Sequence, residues 1–210
     1  GTNQTTDPMH GILLRGGSGG YQHIFNCILY DFTESDDHVT AFNLNPSRAT
    51  VKCYNNTSYD MTITTRTDKV AAGYYWGSTG TINIKNCIAI DSKNTAGSAP
   101  ASSSLDFRRG AGSTDCDFCL SSDSTASTYG TNAQTSKTAA NTFETPGSDM
   151  RIKSTSDAAG NATDLGSEAN IDISEFDRNS IAVDWDIGAY QVTRTASSSS
   201  KPAFLMFLDI

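Results

Sequence analysis

The sequence predicts an all-β solenoid, and three observations predict it. The first is composition. Among 210 residues there are 26 Ser, 26 Thr and 14 Asn, with 17 Gly, and these types favour turns and strands over helix interiors. The second is a repeat on cysteine: Asn26-Cys27-Ile28-Leu29-Tyr30-Asp31, Lys52-Cys53-Tyr54-Asn55-Asn56-Thr57, Asn86-Cys87-Ile88-Ala89-Ile90-Asp91 and Phe118-Cys119-Leu120-Ser121-Ser122-Asp123, with the cysteines 26, 34 and 32 residues apart. The third is an apolar segment upstream of each: Gly11-Ile12-Leu13-Leu14-Arg15, Ala41-Phe42-Asn43-Leu44, Gly73-Tyr74-Tyr75-Trp76 and Leu105-Asp106-Phe107-Arg108. The gap from Leu14, Leu44, Tyr75 and Phe107 to the following cysteine is 13, 9, 12 and 12 residues.

A fixed-period unit of short strands closed by a longer loop is the signature of a stacked coil. Each turn buries one face of its strands, and the next turn pairs its backbone edge at about 4.8 Å. The expected architecture is a right-handed parallel β-helix of about four to five coils with a non-repeating C-terminal segment, the right-handed sense being usual for parallel crossovers. Cys27, Cys53, Cys87 and Cys119 are expected to stack inward as small apolar side chains. Alternation in Thr81-Ile82-Asn83-Ile84-Lys85 agrees with a half-buried strand.

The coils are expected over residues 1–125. Residues 126–142 carry few large apolar side chains and read as an exposed Ser/Thr-rich loop. A closing segment follows over 143–192, then a Ser-rich linker over 193–202 and an apolar tail over 203–210. No signal peptide stands at the start, and Gly1 is expected to mark a missing or processed beginning. The net charge of −8 argues against nucleic-acid and anionic-membrane surfaces, which reward clustered cations. No apolar run approaches the roughly 20 residues of a spanning helix.

Two separated runs carry a resemblance. Asp149-Met150-Arg151-Ile152-Lys153-Ser154-Thr155-Ser156, followed by Ala162-Thr163-Asp164-Leu165-Gly166, resembles the run that ends many right-handed parallel β-helix proteins. Asp184-Trp185-Asp186-Ile187-Gly188-Ala189-Tyr190-Gln191 resembles the "W-D-I-G-A-Y-E" signature that terminates pectate-lyase-like secreted proteins with a choice-of-anchor-type end. The chain departs from that pattern at Ser156-Asp157, at Asp177-Arg178-Asn179-Ser180 and at Gln191. The resemblance implies a β-helix and an extracellular, virion (phage) or bacterial cell-surface setting, and it implies chemistry only loosely.

Lyases on that scaffold hold Ca²⁺ with carboxylates and use a basic residue as proton acceptor, while glycoside hydrolases use paired carboxylates. Alternation along Leu105-Asp106-Phe107-Arg108 places Asp106 and Arg108 on one outer face, as catalytic candidates or as a solvent-facing ion pair. Asp31, Asp91 and Asp123 form a column that could ligate Ca²⁺ or simply shape turns. Tyr74, Tyr75 and Trp76 are the glycan-stacking candidates, with at least one facing outward. Cys116-Asp117-Phe118-Cys119 stands without a second pair, and His10, His23 and His38 have no ligand spacing.

Phe204, Leu205, Met206, Phe207 and Leu208 in the tail are expected to dock on a second subunit or a structural partner, the alternative being a fold back onto the chain's own coil. The expected role is a non-catalytic structural or adhesive module that touches glycans. A polysaccharide lyase or glycoside hydrolase acting on acidic glycans is the alternative. No cofactor is expected beyond Ca²⁺, and the partners expected are copies of the chain, other assembly proteins or a glycan.

Overall fold

In the computed structural model the described residues are 8–16, 19–46, 49–77, 80–111, 113–180 and 184–192, excluding the side chains of 113–115. The first rung is β1 (Met9–Gly16), β2 (Tyr21–Phe25) and β3 (Ile28–Glu34). The second is β4 (Val39–Pro46), β5 (Thr50–Tyr54) and β6 (Thr57–Ile63); the third is β7 (Ala71–Trp76), β8 (Thr81–Lys85), β9 (Ile88–Ile90) and the short β10 (Lys93–Asn94). The fourth is β11 (Ser104–Arg109), β12 (Ser113–Asp117) and β13 (Leu120–Ser121). Like strands pair in parallel into sheet A (β1-β4-β7-β11), sheet B (β2-β5-β8-β12) and sheet C (β3-β6-β9-β13). The chain is a parallel β-solenoid of four stacked rungs, about three turns, slightly fewer than the four to five coils expected.

Stacking places like on like inside. Phe42, Tyr74 and Phe107 form one aromatic column, with successive ring centroids 4.7 and 4.9 Å apart and nearly parallel planes. Such pairs add about 0.5–1.5 kcal/mol each beyond the area they bury. Leu44 and Trp76 fill the neighbouring column, also fully buried.

Sheets B and C meet at a two-residue corner that repeats on asparagine. Asn26, Asn55 and Asn86 all have φ 54°, and Phe118 takes the same place with φ 50°. Asparagine tolerates this left-handed backbone better than most residues. Phe118 adopts it while its N–H donates to the Thr131 carbonyl at 3.1 Å. The register corrects the cysteine alignment in the second rung. Thr57 pairs with Ile28 and Ile88, so Asn56 occupies the corner position of Cys27, Cys87 and Cys119. Cys53 lies three residues earlier, in a column with Ile24, Ile84 and Cys116. Asn56 fits this wet-looking choice into a dry corner by accepting from the Cys27 N–H at 2.8 Å and donating to the Ile24 carbonyl at 2.8 Å. Cys53, Cys87, Cys116 and Cys119 are buried thiols, and Cys27 is half-buried.

The segment after the coils is a cap rather than an exposed loop. Its short helix α1 (Thr125–Tyr129) buries Ala126, and Tyr129 packs edge-on to Trp76 with centroids 5.3 Å apart. The Asp123 carboxylate accepts the Asp106 N–H at 3.0 Å, and the Thr125 hydroxyl oxygen accepts the Phe107 N–H at 2.9 Å. Thus the last strand of sheet A finds partners without a fifth rung.

The helix α2 (Ala139–Thr142) precedes the closing segment, which opens on the hairpin β14 (Phe143–Thr145) and β15 (Asp149–Ile152). It then runs back down the asparagine corner. The Asn86 amide donates to the Thr163 carbonyl at 2.8 Å, Asn55 to Ala169 at 2.9 Å, and Asn26 to Ile171. The Trp185–Gln191 run is knotted by one buried guanidinium. Arg178 is fully buried and donates to the carbonyls of Asp186 (3.1 Å) and Gly188 (2.9 Å) and to Gln191 Oε1 (3.1 Å). The buried Asp186 carboxylate accepts from the N–H groups of Gly160 and Val192. Residues 193–210, and with them Phe204, Leu205, Met206, Phe207 and Leu208, lie outside the described residues.

Candidate functional site

The outer face of sheet A carries a cleft of about 390 Å³ formed by side chains from all four rungs. Its long column is Leu13, Asn43, Tyr75 and Arg108, paired in register from rung to rung. Arg15 stands beside Asn45 at the next outward position. His10 and Thr40 form the neighbouring column, and His38 and Val70 close one side. No carboxylate is among the lining residues.

The polar groups hold one another in place. His10 Nδ1 and Thr40 Oγ1 are 2.6 Å apart, and the Asn43 amide reaches His10 Nε2 at 3.2 Å. Asn45 donates to the Asn43 side-chain oxygen. His38 Nδ1 accepts the Val70 N–H at 2.9 Å, which fixes the protonated nitrogen of the neutral ring as Nε2. Burial lowers the pKa of His10, and the Arg15 and His38 charges push it the same way. Burial also lowers that of His38, with Asp37 opposing and Lys69 and Arg108 reinforcing. Both imidazoles are therefore neutral at pH 7. The cleft's formal charge resides on Arg15 and Arg108, whereas Lys69 is held by Asp37 at 3.1 Å. The Arg108 guanidinium lies 5.8 Å from the Tyr75 ring centroid, within cation–π range.

Sequence reasoning found two residues of this site, Tyr75 and Arg108. Of the three stacking candidates, Tyr74 and Trp76 are fully buried core rings, which leaves Tyr75 as the outward one. Gly77 and Gly110 leave room for its hydroxyl: a Cβ on either would come within 3.0 or 2.8 Å of that oxygen. Arg108 does face the cleft, but Asp106 does not share its face. The pairing skips Gly11, Ala41, Gly73 and Asp106 at the same place in every rung of sheet A. This irregularity turns two consecutive side chains inward and breaks strict alternation. Asp106 is consequently buried, accepting from the N–H groups of Ser92 (3.1 Å) and Ser122 (2.6 Å) and from the Ser122 hydroxyl (2.6 Å). Burial, with help from Asp123, pushes its pKa up to about 7. The proposed Asp106/Arg108 pair is thus one structural carboxyl and one surface cation.

The aspartate column gains Asp60 in the second rung, where the sequence alignment had Thr57. Tyr30 pairs with Tyr59 and Tyr59 with Ile90, so Asp31, Asp60 and Asp91 are the aligned residues. All three have φ between 54° and 61°, which is turn geometry. Asp60 pairs with Lys93 at 2.7 Å, and Asp123 spends its oxygens on Asp106 N–H and on Thr125. Among the described residues no three His, Cys, Asp or Glu side chains converge as metal ligands.

His10, His38, Arg15, Asn43 and Asn45 were missed. They sit on three different rungs or loops, and only the strand register brings them together. Comparison of the chain with protein-family models, curated proteins and solved structures returns no match.

Proposed function

We propose that this chain is a non-catalytic β-helix module of an extracellular, virion or bacterial surface, and that the outer face of sheet A grips an anionic glycan. The observation that carries this reading is the cleft itself. A protein of net charge −8 presents there two arginines, a half-exposed tyrosine and two side-chain amides, with no lining carboxylate. Arginine forks match sugar carboxylates, amides and imidazoles match hydroxyls, and the Tyr75 face suits a sugar ring. Hydrolysis by paired carboxylates has no seat in such a cleft. The surface setting rests on the resemblance of the closing run to secreted β-helix proteins.

A second reading, a polysaccharide lyase, is favoured by one specific observation: the neutral His10 shares the cleft with Arg108. A neutral imidazole is a competent proton acceptor. Calorimetric titration with uronate oligomers, run beside ultraviolet detection of unsaturated products, separates the two. Binding without product supports the module. Product that disappears in Arg108→Ala supports the lyase, and neither binding nor product removes the glycan reading.

A further inference from the structure

The two histidines of the cleft are held in different ways, and only one is free to take a second proton without breaking a backbone bond. His38 Nδ1 accepts the Val70 N–H at 2.9 Å. A proton on that nitrogen would set the amide of the buried Val70 against another donor, so His38 resists charging. His10 carries no such lock. Its Nδ1 meets the Thr40 hydroxyl at 2.6 Å, and a hydroxyl serves as donor or acceptor. Its other neighbour is the Asn43 side chain, whose Nδ2 lies 3.2 Å from Nε2 and 3.4 Å from Nδ1. An amide NH2 suits that place only while the ring keeps a bare nitrogen. Once both nitrogens carry protons, donor faces donor.

Asn43 answers an imidazolium by turning its amide over and offering Oδ1. That oxygen accepts from Asn45 Nδ2 in the neutral arrangement, so the turn passes along the strand, and Asn45 must then present its own Oδ1 to the Asn43 NH2. Before the turn the Asn45 oxygen lies by Gly77, where a Cβ would meet it at 3.2 Å. After it the Asn45 NH2 takes that place, and the strand register sets Asn45 beside Arg15. An acceptor beside the arginine is thus replaced by a donor, and the ring adds a positive charge to those of Arg15 and Arg108. Among the described residues, the charged and titratable groups around His10 are Arg15 on its own strand, Asp37 and His38 before β4, Tyr75 on β7 and Arg108 on β11. Lys69 is tied to Asp37. Burial, Arg15 and His38 hold the His10 pKa below the ordinary histidine value, with Asp37 opposing. The ring is therefore neutral at pH 7 and charges on acidification, while a sugar carboxylate keeps its charge down to about pH 4.

We propose that protonation of His10 turns over the Asn43 and Asn45 amides and tightens the cleft, so that an anionic glycan is held more firmly in acid. This acid dependence rests on the glycan reading of the cleft and adds the condition under which the site fills.

Nuclear magnetic resonance of the ligand-free chain reads the amides directly. The side-chain amide signals of Asn43 and Asn45 should move with the same midpoint as the His10 ring, while the His38 ring keeps its single proton on Nε2 through that midpoint. Calorimetric titration with a uronate oligomer, one pH unit below and one above the midpoint, should give at least about threefold tighter binding on the acid side. Saturating oligomer should in turn raise the midpoint, by linkage. In His10→Gln, checked for its fold by far-ultraviolet circular dichroism, the ratio between the two pH values should vanish. Amides that ignore the His10 midpoint, or a ratio that survives in His10→Gln, overturn the proposal. Equal affinity at the two pH values overturns the acid dependence and leaves the glycan reading standing, whereas no binding at either pH removes both.

Discussion

Replacing Arg178 with alanine removes a buried side chain that ties both ends of the terminal run together. The buried Asp186 and Gly188 carbonyls lose the guanidinium donor at once, while Gln191 Oε1 keeps the Asp186 N–H. Each orphaned buried group costs about 1–3 kcal/mol. The buried carboxylates of Asp172 and Asp186 also lose the positive charge nearest to them. Breaking a buried charge network from one side typically costs 3–5 kcal/mol, and the same range is expected here. Burial brings the Arg178 pKa down to about 10, so the guanidinium is still charged at pH 7. Urea unfolding followed by far-ultraviolet circular dichroism reads the change. With a slope of about 2–3 kcal/mol/M for a domain of this size, the midpoint should fall by roughly 1–2 M. Arg178→Lys keeps the charge but not the planar fork, and should fall between the two. A loss below about 1 kcal/mol for the alanine variant would refute the idea that the terminal run is held by this residue.

Asp106 sets the direction of a pH effect. Its folded pKa of about 7 lies above the ordinary carboxylate value, so its contribution to stability is complete below pH ~4 and is lost as pH rises through ~7. Chemical denaturation at pH 5 and pH 8 should show a loss of about 2–4 kcal/mol between them that Asp106→Asn largely removes; an unchanged slope in the variant rejects the assignment. Asn86→Ala should cost about 2–4 kcal/mol by thermal melting, through the positive φ and the two-way bond with Thr163, whereas Asn86→Gly should recover the backbone share. Equal losses for the two would show that the left-handed corner is unimportant. Cys53, Cys87, Cys116 and Cys119 should label only on unfolding, and Cys87→Phe should overpack the coil at about 1–3 kcal/mol. Native labelling of three of them would contradict the inward stack.

The solenoid was legible because its period survives in the sequence, but cysteine was the weaker guide to it. Cys53 belongs to a strand column, so aligning on it shortened one interval and stretched the next. The corner residues Asn26, Asn55, Asn86 and Phe118 are 29, 31 and 32 residues apart, a steadier period than that of the cysteines. Their physical reason is the left-handed backbone, which the side chain of a buried thiol does not report. Alternation failed at Asp106 because it assumes a regular strand, and sheet A repeats an irregularity at one column. Nothing in a single rung announces that feature; only Gly11, Ala41 and Gly73, all small, hint at a tight place above Asp106. Residues 126–142 looked exposed because small side chains dominate them, yet Ala126, Ala139 and Thr142 are buried. The cleft was legible at two residues. Tyr75 and Arg108 stand out by type, whereas His10, Arg15 and His38 acquire meaning only once the rungs are stacked.

The most direct test of the proposed glycan site on sheet A uses one oligomer in two forms. A uronate oligosaccharide and its carboxyl-reduced, neutral counterpart are titrated into the same protein at the same salt, and the sugar is recovered afterwards. Arg15 and Arg108 predict at least tenfold tighter binding of the charged form, Arg108→Ala should erase most of that difference, and both sugars should return intact. Equal affinity for the two forms, or a shortened charged oligomer, would contradict a non-catalytic anionic-glycan site on sheet A.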